Sequence, residues 1–297
     1  MNVSPIIIPT TRNEGKTLYD EETLKKNLKE IELFKLMSQS PNVVDFYGYG
    51  LYDNCLFICM ELMDSSLSDV IRLMHIAKDF SNKFFAFTTV SIIEALIEFK
   101  KAGVTHGDIR PRNILIKRNG EIKLCLLGYS PNMYNVTYDS PEKFRGEEYD
   151  ERADIWSLGI TLLEFILGYH PLDHENPENT LNWIENFSWE EIEKKKEFHN
   201  HVKEDFYRDY FVKSFLKKCL EVDVQNRPNL MQIQELDLYK VFAPKSLDER
   251  RSEIASSMKK YEKFYEDLFS DSLMNRIQWA DYGETHFVLV MKDCEFN

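Results

Sequence analysis

The chain has 297 residues, of which 43% are hydrophobic, and its formal net charge is −13. A core of this size needs no disulfide cross-links, and an acidic surface repels phosphate backbones and anionic lipid, so nucleic acids and membrane surfaces are poor partners. No apolar run approaches the ~18 residues of a transmembrane helix. The five cysteines form no C-x-x-C pair, so we expect buried thiols and an intracellular, cytoplasmic protein.

The first 62 residues predict a small sheet with one helix. Residues 6–11 (IIIPTT) are typical of a short strand. Residues 20–38 carry apolar side chains at helical spacing, which predicts an amphipathic helix capped by Asp20 and stopped at Pro41. Residues 43–62 are rich in aromatic and β-branched side chains, so they predict two strands with a turn near Asp53.

Helical patterns dominate after residue 64. Residues 89–103 predict a strong helix with Gly103 just past its end, and the next segment predicts a β-hairpin that turns at Asn119 and Gly120. Further helices are predicted near residues 150–168, 189–199, 205–220, 229–240 and 246–270, followed by a strand-like segment at 286–293. Strands first and helices afterwards indicate an α+β fold.

The segment between that helix and the hairpin carries the strongest functional signal. It reads His-Gly-Asp-Ile-Arg-Pro-Arg-Asn from His106 to Asn113. An aspartate followed five positions later by asparagine is the catalytic-loop spacing of protein kinases. Later segments resemble further kinase motifs in the family's order: Leu126-Leu127-Gly128, Ser140-Pro141-Glu142, Asp154-Ile155-Trp156-Ser157-Leu158-Gly159 and Arg227-Pro228. The chain therefore resembles the protein kinases.

Longer runs are similar to the MAP kinase kinases. Residues 59–70 (CMELMDSSLSDV) resemble their hinge, with Met60 as gatekeeper and Glu61 to Met63 as the segment that meets adenine. Residues 41–50 and 153–173 resemble the strand before that hinge and the helix after the activation segment.

The resemblance implies a protein-kinase-like bilobal fold with site residues in family positions. It predicts a remnant N-lobe with a truncated sheet over residues 1–62, a helical C-lobe over 63–245 and a C-terminal extension over 246–297. It also gives Asp108 the place of the catalytic base and Asn113 that of a metal ligand.

Several residues needed for phosphoryl transfer are changed. No G-x-G-x-x-G loop occurs, and with five residues ahead of the strand at Ile6 we expect that loop to be absent. Glu30 aligns with the glutamate of the family's ion pair, but its lysine partner is missing, and only Arg12 or Lys16 offers a replacement. Leu126 replaces the metal-binding aspartate and has no oxygen to offer Mg²⁺.

The activation segment also departs from the family. Gly107 replaces the arginine that receives the activation-loop phosphate in many kinases. The segment 128–142 has only 15 residues. Its Ser130, Thr137 and Ser140 do not reproduce the phosphosite spacing of MAP kinase kinases. We therefore do not expect switching by phosphorylation.

The remaining motif residues fit structural roles. Glu142 and Arg227 are expected to form an ion pair. Asp154 is expected to accept backbone hydrogen bonds from the catalytic loop, and His106 to pack within that loop. Asp108 has two open roles, as a residual base or as an acceptor that orders the loop.

Three functional hypotheses remain. The first is a pseudokinase that acts as a binding or regulatory module among MAP kinase pathway proteins, with no cofactor and no metal. The second is an active MAP kinase kinase that uses ATP and Mg²⁺ to phosphorylate a MAP kinase. The third is the product of a truncated gene. Leu126 favours the first over the second.

The tail carries its own prediction. Residues 246–270 have an apolar stripe at steps of three and four, with Ser246 or Asp248 as the helix cap. Since such a stripe needs a surface to cover it, we expect the tail to pack on the kinase body, in place of missing N-lobe contacts.

Overall fold

The computed structural model describes residues 3–9, 29, 31–52, 55–126, 136–172, 177–194 and 210–270. Within these ranges, no helix combines the length and the hydropathy that crossing a bilayer requires.

The N-terminal sheet has three described strands: β1 (Val3–Pro9), β2 (Phe46–Tyr52) and β3 (Cys55–Glu61). Their order is β1-β3-β2, and both pairings are antiparallel. The predicted strand at 6–11 is wrong at its start, since β1 begins at Val3. Pro5 interrupts the sequence pattern, yet a proline is tolerated in a strand that lies at the edge of a sheet.

Helix α1 packs against this sheet and is described over residues 31–37. Ile31, Phe34 and Met37 are buried, and the ring centroid of Phe34 lies 5.2 Å from that of Phe46. The rest of the helix predicted over residues 20–38, with its cap at Asp20, lies outside the described residues.

The chain then enters the helical part through α2 (Leu67–Ala77) and α3 (Asn82–Lys101). Helix α3 begins seven residues before the predicted start, because Ser81 caps it by accepting a hydrogen bond from the Phe84 backbone nitrogen at 3.2 Å. Gly103 follows the helix with a φ of 74°, as the sequence predicts.

A second small sheet joins β4 (Ser65–Ser66), β5 (Ile114–Ile116) and β6 (Ile122–Leu124). The β5–β6 hairpin turns at Asn119 and Gly120, as predicted, and Gly120 has a φ of 88°. Val43 forms a parallel bridge with Leu124, which ties the N-terminal segment to this hairpin.

The remaining helices include α5, whose side chains are buried except for the half-buried Arg152 and Glu164. Their bounds are α4 (Pro141–Phe144), α5 (Arg152–Leu167), α6 (Pro177–Glu185), α7 (Trp189–Lys194), α8 (Tyr210–Cys219), α9 (Leu230–Ile233) and α10 (Asp237–Phe242). The single helix predicted over 229–240 is wrong, because the structure has two short helices there. Each has its own start, and Asn229 caps the first with a capping box.

The tail helix α11 (Leu247–Ser270) lies on α2 and α3. Ser246 caps it by accepting a hydrogen bond from the Glu249 backbone nitrogen at 3.1 Å. Ile254, Met258 and Tyr261 are buried, so packing on the body is confirmed. The contacts of α11 with α2 and α3 lie in the helical part, and the suggested replacement of N-lobe contacts stays a prediction. The predicted strand at 286–293 lies outside the described residues.

Candidate functional site

The segment 106–113, which resembles a catalytic loop, lies between α3 and β5. It is held in place by Asp154 of α5. The carboxylate of Asp154 accepts hydrogen bonds from the backbone nitrogens of His106 at 2.8 Å and Gly107 at 2.7 Å. Burial raises the pKa of Asp154 above its usual value. The predicted role of Asp154 as a backbone acceptor is confirmed.

The imidazole of His106 is part of the same loop framework. Its Nδ1 accepts a hydrogen bond from the backbone nitrogen of Asp108 at 3.2 Å, so Nε2 carries the proton that points to the carbonyl of Cys125 at 3.2 Å. The ring also packs edge-on against Phe99, with centroids 5.1 Å apart. Burial lowers the pKa of His106, which keeps the ring neutral. The predicted packing role is confirmed.

Asp108 and Asn113 contact each other within the loop. The side-chain amide of Asn113 donates to the Asp108 carboxylate at 2.7 Å and to the Asp108 carbonyl at 2.9 Å. The guanidinium of Arg110 lies 3.0 Å from the same carboxylate. The side chain of Asp108 remains one-third exposed. The geometry therefore orders the loop and still leaves the carboxylate in reach of a ligand.

The metal ligands that the resemblance implies are incomplete among the described residues. Leu126 is half-buried at the end of β6 and offers no oxygen. Asn113 retains one amide oxygen as a ligand, whereas Mg²⁺ takes several hard oxygen ligands. In the part of the chain that the structure describes, no group of three His, Cys, Asp or Glu residues is arranged to hold a metal. These residues do not fit the family's metal site.

The family's phosphate-binding lysine is expected within residues 9–14, which contain no lysine. Of these residues, only Pro9, at the end of β1, belongs to the described part of the chain. Strand β1 contains no lysine and no arginine, and its register sets Ile6 opposite Ile58. Glu30, Arg12 and Lys16 lie outside the described residues.

The segment that resembles the hinge packs closely against the rest of the fold. Met60 is buried, with its sulfur 3.8 Å from the Cys125 thiol, and Met63 packs at the edge of the core. The Glu61 carboxylate faces the hairpin, where it accepts a hydrogen bond from Lys123 at 2.7 Å and a second from Lys117. Adenine contact by Met60, Glu61 and Met63 stays a prediction.

Comparison with known proteins identifies this arrangement. A family model described as the protein kinase domain matches residues 12–238. The chain belongs to the protein kinase family.

Relatives of the kinase domain include several MAP kinase kinases. The dual specificity mitogen-activated protein kinase kinase jkk-1 of Caenorhabditis elegans is 32% identical over 78% of this chain and 56% of its own length. The corresponding sek-1 of the same organism is 31% identical over 73% of this chain and 67% of its own length. The MAP kinase kinase MKK1/SSP32 of Saccharomyces cerevisiae is 30% identical over 72% of this chain. The aligned region makes up 44% of that yeast protein, so the chain spans about half to two-thirds of these relatives.

The end of the activation segment in this kinase domain is fixed by charges. Arg227 forms a two-point ion pair with Glu142 at 2.7 and 3.2 Å, so the predicted pair is confirmed. The ammonium group of Lys143 donates to the Gly107 carbonyl at 2.6 Å and to Asp139 at 2.5 Å. The sequence analysis did not identify the contacts of Lys143 with Gly107 and Asp139. Asp139 lies just before α4 and Lys143 within it, so the four-residue spacing of opposite charges was the available signal.

The candidate phosphosites of this segment are buried where the structure describes them. Thr137 is 6% exposed and Ser140 is fully buried. The Ser140 hydroxyl caps α4 by accepting a hydrogen bond from the backbone nitrogen of Lys143 at 3.4 Å. Ser130 lies outside the described residues.

Proposed function

We propose that this kinase domain is a MAP kinase kinase-like pseudokinase, a binding or regulatory module of a MAP kinase cascade. The single observation that carries the proposal is Leu126, which stands where the family has its metal-binding aspartate. The names of the relatives support the choice of pathway. MAP kinase pathway proteins are accordingly the proposed partners.

The size of the catalytic loss supports binding over chemistry. A catalytic metal or a phosphate-clamping charge supplies several kcal/mol of transition-state stabilisation. Each ~1.4 kcal/mol corresponds to a tenfold change in rate. At that scale, losing the metal ligand reduces turnover on the order of 10²- to 10³-fold, and the missing lysine adds to the loss, although the two effects need not be additive. A family turnover of ~1–100 per second then falls to about 1 per second or less.

The contacts that remain are those that hold the fold. Asp154 fixes the catalytic-type loop, and the Glu142–Arg227 pair fixes the activation segment. Both use buried charges, which require compensation and are weak sources of net stability. A chain that retains them keeps an ordered helical surface, while Leu126 removes one of the family's metal ligands.

Thermal-shift titration with ATP, with and without Mg²⁺, tests the nucleotide part of the proposal. A site with a dissociation constant of ~0.1 mM would gain ~1.4 kcal/mol at ~1 mM ligand. We expect no Mg²⁺-dependent rise in melting temperature. A clear rise would contradict the proposal.

The variant Leu126→Asp tests whether restoring the metal-binding aspartate is enough to restore phosphoryl transfer. We expect this variant to remain inactive towards a MAP kinase substrate, because residues 9–14, where the family's lysine is expected, still contain no lysine. Leu126→Asn serves as a matched control, since it has similar polarity but no carboxylate. Measurable phosphoryl transfer by the aspartate variant alone would show that the N-terminal part retains a working phosphate site.

The active-kinase alternative has one observation in its favour. Asp108 and Asn113 keep the family spacing and touch each other at 2.7 Å. Asp108→Asn separates the two hypotheses when binding to MAP kinases and pathway activity are measured together. The pseudokinase hypothesis expects both to persist, whereas loss of activity with intact folding and binding would establish chemistry at Asp108. Lys101→Gln, at the exposed end of α3, is the control.

A further inference from the structure

A row of charges with alternating sign connects the hinge to the tail helix. Glu61, at the end of β3, accepts hydrogen bonds from Lys123 at 2.7 Å and from Lys117. The ammonium group of Lys117 also lies 3.2 Å from the carboxylate of Glu121, on the far side of the hairpin turn. Glu121 in turn pairs with Arg251 of α11 at 3.1 Å. The row therefore passes from the N-terminal sheet, through the β5–β6 hairpin, to the tail.

The inner part of this row is shielded from water. The side chains of Glu61 and Lys123 are each 10% exposed, and that of Lys117 is 23% exposed. Burial by itself would raise the pKa of Glu61, but the hydrogen bonds from the two lysines hold it below its usual value. Asp45 adds to the inner cluster, since its backbone nitrogen donates to Glu61 at 3.3 Å and its carboxylate lies 3.5 Å from Lys123. Charges in such surroundings are screened less by salt than those of an exposed pair.

The tail helix also touches the hairpin through its backbone. A Cβ atom on Gly120 would lie 2.0 Å from the carbonyl oxygen of Arg251, so the turn and the helix leave no room for a side chain. Arg118 at the hairpin tip pairs with Glu262 of α11 at 2.5 Å. The tail helix is therefore held to the hairpin at two places, about three helical turns apart.

A second face of α11 is anchored to the helical part. Arg250 pairs with Glu94 of α3 at 2.9 Å, and the Tyr261 hydroxyl donates to the carbonyl of Asp79 at 3.2 Å. With one face on α3 and another on the hairpin, α11 fixes the hairpin relative to the helices.

We propose that α11 braces the hinge, because the row Arg251–Glu121–Lys117–Glu61 couples the tail helix to the junction between the N-terminal sheet and the helical part. Glu61 belongs to the sheet, whereas Lys117 and Lys123 belong to the hairpin on the helical side. Any opening of the two parts about the hinge has to separate these charges. Hinge movements normally concentrate at a few such terminal residues. The brace operates in the same way in a pseudokinase and in an active kinase.

Amide hydrogen exchange on the full chain tests the brace. In the variant Arg251→Gln we expect the backbone amides of residues 58–61 to exchange at least threefold faster, although Arg251 is not paired with any of them. In the variant Glu61→Gln we expect, conversely, faster exchange of the backbone amides at the start of α11. Lys259→Gln, on an exposed position of the same helix, should leave the hinge unchanged.

Two outcomes would overturn the proposal. The first is faster exchange confined to α11 and the hairpin in Arg251→Gln. The second is a uniform increase across the chain, which would reveal only a loss of global stability.

A double-mutant cycle gives an independent measurement. Distant side chains that share no partner change the unfolding constant independently, within about twofold. Glu61 and Arg251 are not paired with each other, yet we expect the unfolding constant of the double variant to depart at least threefold from the product of the single effects. Independent effects would refute the coupling. If Glu61→Gln fails to fold, Lys117→Met replaces it in the cycle, with the same expectation.

Discussion

Replacing Arg227 by methionine will strongly destabilise the helical part of the kinase domain. The Arg227 side chain has no exposed surface and binds both oxygens of Glu142. It also donates to the carbonyls of Glu221 and Arg152, each at 3.0 Å, and its guanidinium carbon lies 5.1 Å from the ring centroid of Trp156. One side chain therefore joins the activation segment, α5 and the loop after α8.

The size of the stability loss follows from the negative charge of Glu142, which the substitution leaves without its partner. Removing one partner of a buried ion pair typically destabilises by ~3–5 kcal/mol, because the other charge stays buried without compensation. A domain of ordinary stability has ~5–15 kcal/mol in total. Methionine preserves much of the side-chain volume, so the loss reports the charge more than a cavity.

The stability of the unmodified chain and that of Arg227→Met should change with pH in opposite directions. Burial alone would raise the pKa of Glu142, but the hydrogen bonds and charge of Arg227 hold it below its usual value near 4.5. In the unmodified chain this carboxylate therefore contributes stability above pH ~4.5, and the contribution is lost as the pH falls through its lower folded pKa. Without Arg227, burial raises that pKa, so the variant should lose stability as the pH rises.

Urea unfolding followed by far-ultraviolet circular dichroism at pH 5 and pH 8 measures both effects. Lys240→Met is the control, since its 2.8 Å pair with Glu235 is exposed and its removal should leave stability close to that of the unmodified chain. The double variant Glu142→Gln with Arg227→Met should recover part of the loss. A loss below ~1 kcal/mol for Arg227→Met alone would refute the reasoning.

Two further predictions concern other buried positions. Burial raises the pKa of Glu164 to about 7, although Tyr138 donates a hydrogen bond to it. Since the folded pKa lies above the usual 4.5, stability should fall by up to ~3 kcal/mol as the pH rises from ~4.5 to ~7, and Glu164→Gln should abolish that fall in melting curves across this range. Gly120→Ala should destabilise by more than Gly103→Ala, because both have positive φ but only the first would meet the backbone of Arg251. If both variants lost the same free energy of unfolding in urea, the close packing of Gly120 against the Arg251 backbone would not contribute to stability.

Local chemistry allowed much of the fold to be predicted from the sequence. Asn119 and Gly120 turn the hairpin, because glycine adopts the positive φ that this turn requires. Gly103 ends α3 for the same reason. In each case the determining interactions lie within a few residues of the chain.

Tertiary structure decided the partners of the charged side chains. Nothing near Glu61 in the sequence identifies Lys117 and Lys123, which come 56 and 62 residues later. Likewise, α11 could be recognised as amphipathic from Ile254, but the sequence left open which surface would cover it.

The start of β1 at Val3 was also decided by the tertiary structure. The pairing of β1 with β3 outweighs the weak local preference around its prolines. Local propensities amount to tenths of a kcal/mol per residue, whereas burial of an apolar face or compensation of a buried charge amounts to several kcal/mol. The sequence by itself therefore determined the elements and the order of the loop motifs. The placement of the tail and the role of Glu61 depended on contacts between segments that only the folded chain brings together.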